Sequence, residues 1–118
     1  MKITHFLFTD AQVGVCYGRN GDNLPTQQQT VDLYKSKGIP RMRIYDPDQP
    51  TLQALKGSNI ELILDVPNDQ LQSLTDSTTA TNWVNTNIKA YSDVNFKYIA
   101  VGNEVDPSDS NSQNILLQ

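Results

Sequence analysis

Carboxylate, amide and aromatic side chains recur where the sequence leaves an apolar run. In parallel α/β folds, functional groups gather where strands end and the next loop begins. Carboxylates perform acid–base or nucleophilic work, amides bind hydroxyls, and aromatic rings pack against pyranose faces. This combination on one rim would suit the handling of sugars. The residues at these points are Tyr17, Tyr45, Asp46, Asp65, Asn103 and Glu104.

Glu104 is the strongest single candidate for catalysis. It follows the uncharged segment Tyr98–Asn103, which has the pattern of a strand end. Counting back by two from Glu104 places Gly102 and Ala100 on the same strand face, and these small residues leave space in front of the carboxylate. The alternative is a solvated glutamate at the strand exit, and spacing alone favours neither interpretation.

Arg43 precedes Tyr45 by two residues, so both side chains are predicted on the same face of one strand. If that face is an interior, the guanidinium requires a carboxylate partner, because an unpaired buried charge is costly. One hypothesis is that Arg43 helps to position catalytic carboxylates. A structural pair with Asp65 or another acid is the favoured alternative.

Composition restricts the classes of partner. The chain has 118 residues, of which 37% are hydrophobic, and this is enough for the core of one domain. The formal net charge is −4 and no Lys/Arg stripe is present, which argues against binding to nucleic acid. No apolar run reaches the roughly 20 residues of a membrane-spanning helix, so no membrane partner is expected.

Neither a metal nor a cofactor is expected. Cys16 is the only cysteine and lies in an apolar run, which predicts a small buried side chain rather than a reactive thiol. His5 is the only histidine and has no obvious partner. The aspartates Asp46, Asp48 and Asp65 are predicted on separate loops, and no glycine-rich phosphate loop follows a strand.

The candidate residues lie within an alternation of strands and helices. Four β–α repeats imply parallel strands joined by right-handed crossovers. Two architectures are compatible with them: a small open sheet covered on both faces, or half of an eight-stranded barrel. Trp83 lies at helical spacing with Val84 and Ile88, which predicts core packing rather than sugar binding. The predicted strands are residues 13–17, 41–45, 61–66 and 96–102, and the predicted helices are residues 26–37, 49–55, 69–74 and 81–91.

From Gln12 onward, ordered motifs resemble the start of the plant family 17 glycoside hydrolases, the endo-1,3-β-glucanases. The resemblance implies an α/β fold, the N-terminal half (about four β/α units) of a (β/α)8 TIM barrel. It also implies hydrolysis of internal 1,3-β-glucosidic bonds with retention of configuration. The motifs are Val13–Gly18, Asn23–Pro25, Val31–Lys35, Arg41–Pro47, Leu64–Pro67 and Tyr98–Glu104.

The same resemblance assigns roles to individual residues. It implies that Glu104 is the catalytic acid/base and that Asn103 hydrogen-bonds a sugar hydroxyl beside the bond that is cut. It also implies that Tyr45 faces the substrate cleft. For Tyr17, packing beneath the cleft is at least as well supported as a contact with substrate.

Retaining hydrolysis requires a second carboxyl group, roughly 5–5.5 Å from the acid/base. In the family this nucleophile is a glutamate at the end of the seventh strand, whereas the 118 residues extend through the fourth. We therefore expect little or no hydrolysis by this chain alone. The alternative is a non-catalytic half-barrel in which Tyr45, Trp83 and Asn103 hold 1,3-β-glucan.

The sequence also suggests two properties of the whole chain. Residues 1–11 carry one lysine and a short apolar run, and we interpret them as a leader or signal-peptide remnant ahead of the barrel residues 12–118. With the resemblance, this implies a secreted or vacuolar protein with a role in plant defence or wall remodelling. Open edges of the first and fourth strands predict self-association.

Overall fold

The computed structural model describes residues 13–108, which form four parallel strands and the three α-helices that connect them. Short 3₁₀ turns at Asn68–Gln70, Ser73–Thr75 and Lys89–Tyr91 complete the connections. The main elements are β1 (Val15–Tyr17), α1 (Gln27–Ser36), β2 (Arg41–Ile44), α2 (Gln49–Leu55), β3 (Glu61–Val66), α3 (Ser77–Asn87) and β4 (Asn95–Val101).

The order of the strands distinguishes the two predicted architectures. The sheet runs β1-β2-β3-β4, and each strand pairs in parallel with the next along the chain. A doubly wound open sheet reverses its order at a switch point, whereas consecutive right-handed crossovers place all helices on one face. The described residues therefore form the first half of a β/α barrel, as predicted, and the open-sheet alternative is wrong.

The helices cover one face of the sheet and enclose the core. In β2, Met42 and Ile44 are buried while Arg41 and Arg43 are half-buried, which is the alternation of a strand with two different faces. Burial of each large aliphatic side chain contributes about 2 kcal/mol. The core consists of Val31, Tyr34, Met42, Ile44, Leu52, Leu55, Ile60, Leu62, Leu64 and Val94.

The opposite face of the sheet corresponds to the barrel interior and is open in these residues. Cys16, Arg43 and Ile63 lie in register across β1, β2 and β3 on this face. The prediction of a buried Cys16 is wrong, because the cysteine is exposed. Strand alternation directs Cys16 away from the helices, and an apolar neighbourhood in sequence does not reveal which face a residue occupies.

An ion-pair cluster lies on the open face at the ends of the strands remote from the candidate residues. The Arg41 Nε donates to Glu61 Oε2 at 2.6 Å, and the Lys97 ammonium lies 3.5 Å from Glu61 Oε1. The hydrogen bond from Arg41 holds the pKa of the Glu61 carboxyl below its usual value. This cluster is a charged layer separate from the candidate site.

The region between β3 and β4 differs most from the sequence prediction. The predicted helix at residues 69–74 is two 3₁₀ turns, neither of which has a side-chain cap. The predicted helix at residues 81–91 begins earlier, at Ser77, because the Asp76 carboxylate accepts the Thr79 backbone N–H at 2.8 Å.

Trp83 has the structural role that its spacing predicts. It packs against the core in a half-buried position, and its Nε1 donates to the Gln70 Oε1 at 2.9 Å. The indole is thus held between helix α3 and the loop after β3. It belongs to the outer layer of the fold rather than to the strand ends where the candidate site lies.

Candidate active site

Four of the predicted residues, Tyr17, Tyr45, Asp46 and Asn103, come together at the C-terminal ends of the strands. Tyr17, Tyr45 and Asn103 follow or end three different strands and line a single cleft of about 390 Å³. Glu104 is exposed beside Asn103 but does not itself line this cleft. The lining residues are Tyr17, Gly18, Arg19, Asn20, Tyr45, Asp46 and Asn103.

An arginine–carboxylate pair lies beneath the cleft. The Arg43 Nη2 is 2.5 Å from Asp65 Oδ2, and its Nε donates to Asp65 Oδ1 at 3.0 Å. The Asp65 side chain is completely buried, whereas that of Arg43 remains 31% exposed. The hydrogen bond to Asp65 raises the pKa of the Arg43 guanidinium above its ordinary value. The predicted pairing of Arg43 with Asp65 is confirmed, and the hypothesis that Arg43 helps to position catalytic carboxylates stays a prediction.

The same arginine also orients Asn103. The Arg43 Nη2 donates to the Asn103 Oδ1 at 2.9 Å. A guanidinium offers only donors, so the carbonyl oxygen of the amide must face it and the amide NH₂ must point elsewhere. Among the described residues, no acceptor is hydrogen-bonded to that NH₂ group, which leaves it able to donate to a ligand hydroxyl in the cleft.

Tyr45 forms the aromatic wall of the cleft. Tyr45 is 38% exposed, and the Arg43 Cζ lies 5.0 Å from the centroid of its ring. A cation at this distance from a ring is attracted to it, which restrains the tyrosine. The neighbouring Cys16 side chain raises the pKa of the Tyr45 hydroxyl above its ordinary value. A tyrosine hydroxyl is neutral and able to donate at physiological pH even without this shift.

Tyr17 packs beneath the cleft, as the sequence allowed, and a contact of Tyr17 with substrate stays a prediction. Its ring packs against the hydrophobic core and also contributes to the lining of the cleft. In β1 it pairs in register with Ile44, whose side chain is fully buried toward the helices. Tyr17 is therefore mainly a packing residue at the base of the cleft.

Arg19 is a residue of the cleft that sequence reasoning missed. It lies in the loop after β1 and forms ion pairs with Asp46 and Asp48 in the loop after β2, the latter at 2.7 Å. Asp48 also caps helix α2 by accepting the Thr51 backbone N–H at 3.0 Å. Arg19 therefore ties two rim loops to the start of a helix and fixes one wall of the cleft.

Asn68 is the second residue that was missed. Its side chain donates from Nδ2 to the Asn103 carbonyl at 2.7 Å and accepts the Asn103 N–H on Oδ1 at 2.8 Å. The only signal in the sequence is that Asn68 follows Pro67 directly after β3. That pattern predicts a turn and gives no partner.

Glu104 projects from a turn with an unusual backbone. Its φ is +48°, in the left-handed region, and Gly102 has φ +87°. The left-handed φ of Gly102 favours glycine, and a Cβ there would also lie 2.8 Å from the Val105 side chain and 3.0 Å from that of Leu71, which would have to shift. The chain thus turns sharply at the end of β4 and presents the Glu104 carboxylate at the rim.

The chemistry of the rim is that of a hydroxyl-binding and proton-transferring site. It offers an amide donor from Asn103, an aromatic ring from Tyr45 and the exposed carboxylate of Glu104. Within residues 13–108, no group of three His, Cys, Asp or Glu side chains could hold a metal ion. The helices of that range are also too short or too polar to cross a membrane.

Comparison with known proteins agrees with this arrangement. The sequence profile of "Glycosyl hydrolases family 17" matches residues 13–117. The chain is 63% identical over 103 residues to a "Glucan endo-1,3-beta-glucosidase" of Vitis vinifera, which covers 86% of this chain and 30% of the relative. It is 56% identical over 99 residues to the acidic isoform GI9 of the same enzyme from Nicotiana tabacum, covering 83% and 29%. The chain thus spans about 30% of the length of these relatives.

Solved structures show the same fold. A structure described as one of two plant beta-glucan endohydrolases with distinct substrate specificities superposes with a TM-score of 0.83 at 42% identity, over 89% of this chain and 34% of the other. The beta-1,3-glucanase and pollen allergen CJP38 of Cryptomeria japonica superposes with a TM-score of 0.81 at 42% identity, over 90% and 34%.

Proposed function

The chain belongs to glycosyl hydrolases family 17, and from this we propose that it carries the acid/base half of the active site of an enzyme that hydrolyses internal 1,3-β-glucosidic bonds. The observation that carries the proposal is the placement of Asn103 and Glu104 at the end of β4, beside the cleft that Tyr45 lines. The relatives named glucan endo-1,3-beta-glucosidase support this substrate class.

Each residue at the rim has a distinct role in the proposed reaction. The Glu104 carboxyl donates a proton to the leaving glycosidic oxygen and then, as a carboxylate, accepts a proton from the attacking water. The Asn103 NH₂ group, directed away from Arg43, donates to a sugar hydroxyl next to that bond. The exposed Tyr45 ring packs against a pyranose face.

The nucleophile of a retaining reaction must be a second carboxylate. Asp65 does not suit this role, because it is completely buried and both of its oxygens accept hydrogen bonds from Arg43. We propose that the nucleophile comes from a segment of the family fold outside these 118 residues. The 118-residue chain alone is accordingly expected to release little or no reducing sugar from 1,3-β-glucan.

A chimeric enzyme tests the role of Glu104 directly. Residues 13–117 of this chain would replace the matching segment of the Vitis vinifera relative, and reducing-sugar release from a soluble 1,3-β-glucan would be measured. Glu104→Gln should lower kcat about 10²- to 10⁴-fold, the usual contribution of general acid–base catalysis. Glu61→Gln makes the same chemical change at the far end of the strands and should leave kcat nearly unchanged. Full activity of Glu104→Gln would refute the assignment.

Glucan binding without hydrolysis is the second candidate function. It is favoured by one observation: Tyr45, Asn103 and the cleft between them all lie within the described residues. A calorimetric titration of the 118-residue chain with a soluble 1,3-β-glucan oligosaccharide measures the affinity of binding. Binding that Asn103→Ala weakens, without release of reducing ends, would support a binding half-barrel.

A further inference from the structure

The side chain of Asn68 replaces a backbone partner at the point where β3 and β4 stop pairing. The last contact of the ladder is the hydrogen bond from the Gly102 N–H to the Val66 carbonyl, at 3.1 Å. Pro67 follows and has no N–H, and the chain then turns away into the 3₁₀ turn. Asn68 reaches back and pairs with both the N–H and the carbonyl of Asn103.

A primary amide carries the same kinds of donor and acceptor as a peptide group, so the Asn68 side chain can take the place of a backbone partner. Residue 103 is paired at both of its backbone polar groups although β3 has already ended. The Arg43 guanidinium holds its side chain as a third point of attachment. Asn103 is therefore fixed in position and orientation.

Glu104 depends on this anchoring. Its left-handed backbone conformation, φ +48°, is unfavourable by roughly 1–2 kcal/mol for a residue other than glycine. Among the described residues, no side chain or backbone group forms a hydrogen bond or ion pair with its carboxylate. The point from which the side chain projects, and the direction of its Cα–Cβ bond, are set by the backbone that precedes it, and Asn68 holds that peptide unit.

The contacts around Gly102 leave Asn68 little freedom. A Cβ at Gly102 would lie 3.2 Å from the Asn68 Oδ1, so the amide packs directly against the backbone of the strand end. Asn68 is nevertheless exposed to solvent. Each of its hydrogen bonds contributes about 1 kcal/mol, so their loss should perturb the turn locally without unfolding the protein.

We propose that Asn68 is a positioning residue for Glu104, acting through the backbone of Asn103. This inference rests on the proposed role of Glu104 as the acid/base. Misplacement of a reacting group by about 1 Å can lower a rate about 10²-fold. Removal of the Asn68 amide should therefore affect the chemical step far more than it affects the binding of sugar.

Kinetics of the chimera test the proposal. Asn68→Ala should lower kcat about 10- to 100-fold and change KM by less than about twofold, because Arg43 still holds the Asn103 side chain and Tyr45 is untouched. Asn68→Asp keeps the acceptor for the Asn103 N–H and should have an intermediate kcat. The matched control is Asn82→Ala, an exposed asparagine on α3, which should leave kcat unchanged. A purely structural role would reduce the yield of folded enzyme but leave kcat per folded molecule unaltered.

Hydrogen exchange supplies a readout that does not depend on activity. In the 118-residue chain, the Asn103 amide should exchange faster in Asn68→Ala than in the parent, while core amides such as that of Leu64 keep their rates. Equal protection of the Asn103 amide would overturn the inference. An unchanged kcat of Asn68→Ala would also overturn it, provided that Glu104→Gln inactivates the same chimera. If Glu104→Gln is itself active, the proposed function is refuted instead.

Discussion

Arg43 contacts three of the residues that define the site. In its ion pair with Asp65, the two partners differ in their exposure to solvent. Its guanidinium binds the completely buried Asp65, holds the Asn103 side chain and lies over the Tyr45 ring. Water reaches Arg43 but does not reach Asp65. The consequences of removing either partner should therefore differ.

We expect Arg43→Met to destabilise the chain more than Asp65→Asn. Loss of the arginine leaves a buried carboxylate without its ion-pair partner, a situation that costs about 3–5 kcal/mol. Loss of the carboxylate leaves an arginine that is 31% exposed and that solvent can stabilise in part. Urea unfolding of the two variants measures the difference. Equal free energies of unfolding, or the reverse order, would contradict this view of the pair.

The residues of the site differ in how far the sequence reveals them. Tyr45, Asn103 and the Arg43–Asp65 pair follow from strand periodicity and from the rule that functional groups gather where strands end. Arg19 and Asn68 do not, because their partners lie 29 and 35 residues away in the chain. No local pattern encodes a contact between two loops, so these residues required the structure.

At the scale of the elements, Tyr34 links helix α1 to strand β1. Its hydroxyl donates to the Val15 carbonyl at 3.1 Å, and its ring is part of the core. Burial raises the pKa of the Tyr34 hydroxyl to about 12. The folded state therefore resists an ionisation that the unfolded chain undergoes near pH 10.

The free energy of unfolding should consequently fall as the pH rises from about 10 to about 12. The stabilisation is fully present below the unfolded pKa and is lost as the pH passes through the folded one; a shift of about two units corresponds to about 2–3 kcal/mol. Tyr34→Phe should show a smaller decrease over the same interval. Denaturant titrations at several pH values compare the two proteins, and parallel curves would contradict the prediction.

The elements themselves were predicted with uneven success. The three strands β2, β3 and β4 were found within one or two residues, since their apolar runs are bounded by Pro or Gly. The start of helix α3 was missed because the polar segment from Ser77 to Ala80 shows no hydrophobic periodicity, and the Asp76 cap decides where the helix begins. An N-cap depends on the hydrogen bond of a single side chain, so the hydrophobic periodicity of the helix does not predict where the cap lies.

At the scale of the whole molecule, one face of the sheet and the β4 edge present apolar surface. Tyr98 is 54% exposed and Val101 is 72% exposed. Unpaired strand edges and exposed apolar surface both favour association between chains. We therefore expect the 118-residue chain to self-associate.

Analytical ultracentrifugation of the chain over a range of concentrations tests this expectation. A Tyr98→Lys, Val101→Lys variant should sediment as a smaller species than the parent, because charge on an edge strand opposes pairing. Leu33→Lys is the matched control, since Leu33 is 51% exposed on helix α1 and lies away from the sheet edge. A parent chain that remains monomeric at all concentrations would refute the proposal.

The consecutive strand order also determines how the chain can acquire its structure during synthesis. Each strand pairs with the one made immediately before it, so no pairing among β1 to β4 has to wait for a distant segment. Paired residues of neighbouring strands lie only 20 to 35 residues apart, as Arg43 and Ile63 or Ile63 and Tyr98 do, so each closure costs less entropy than pairing with a more distant strand would. Each unit can therefore add to the preceding one as it leaves the ribosome, where N-terminal segments fold first. Arg19 would then fix the second unit to the first, and Asn68 would fix the fourth unit to the third.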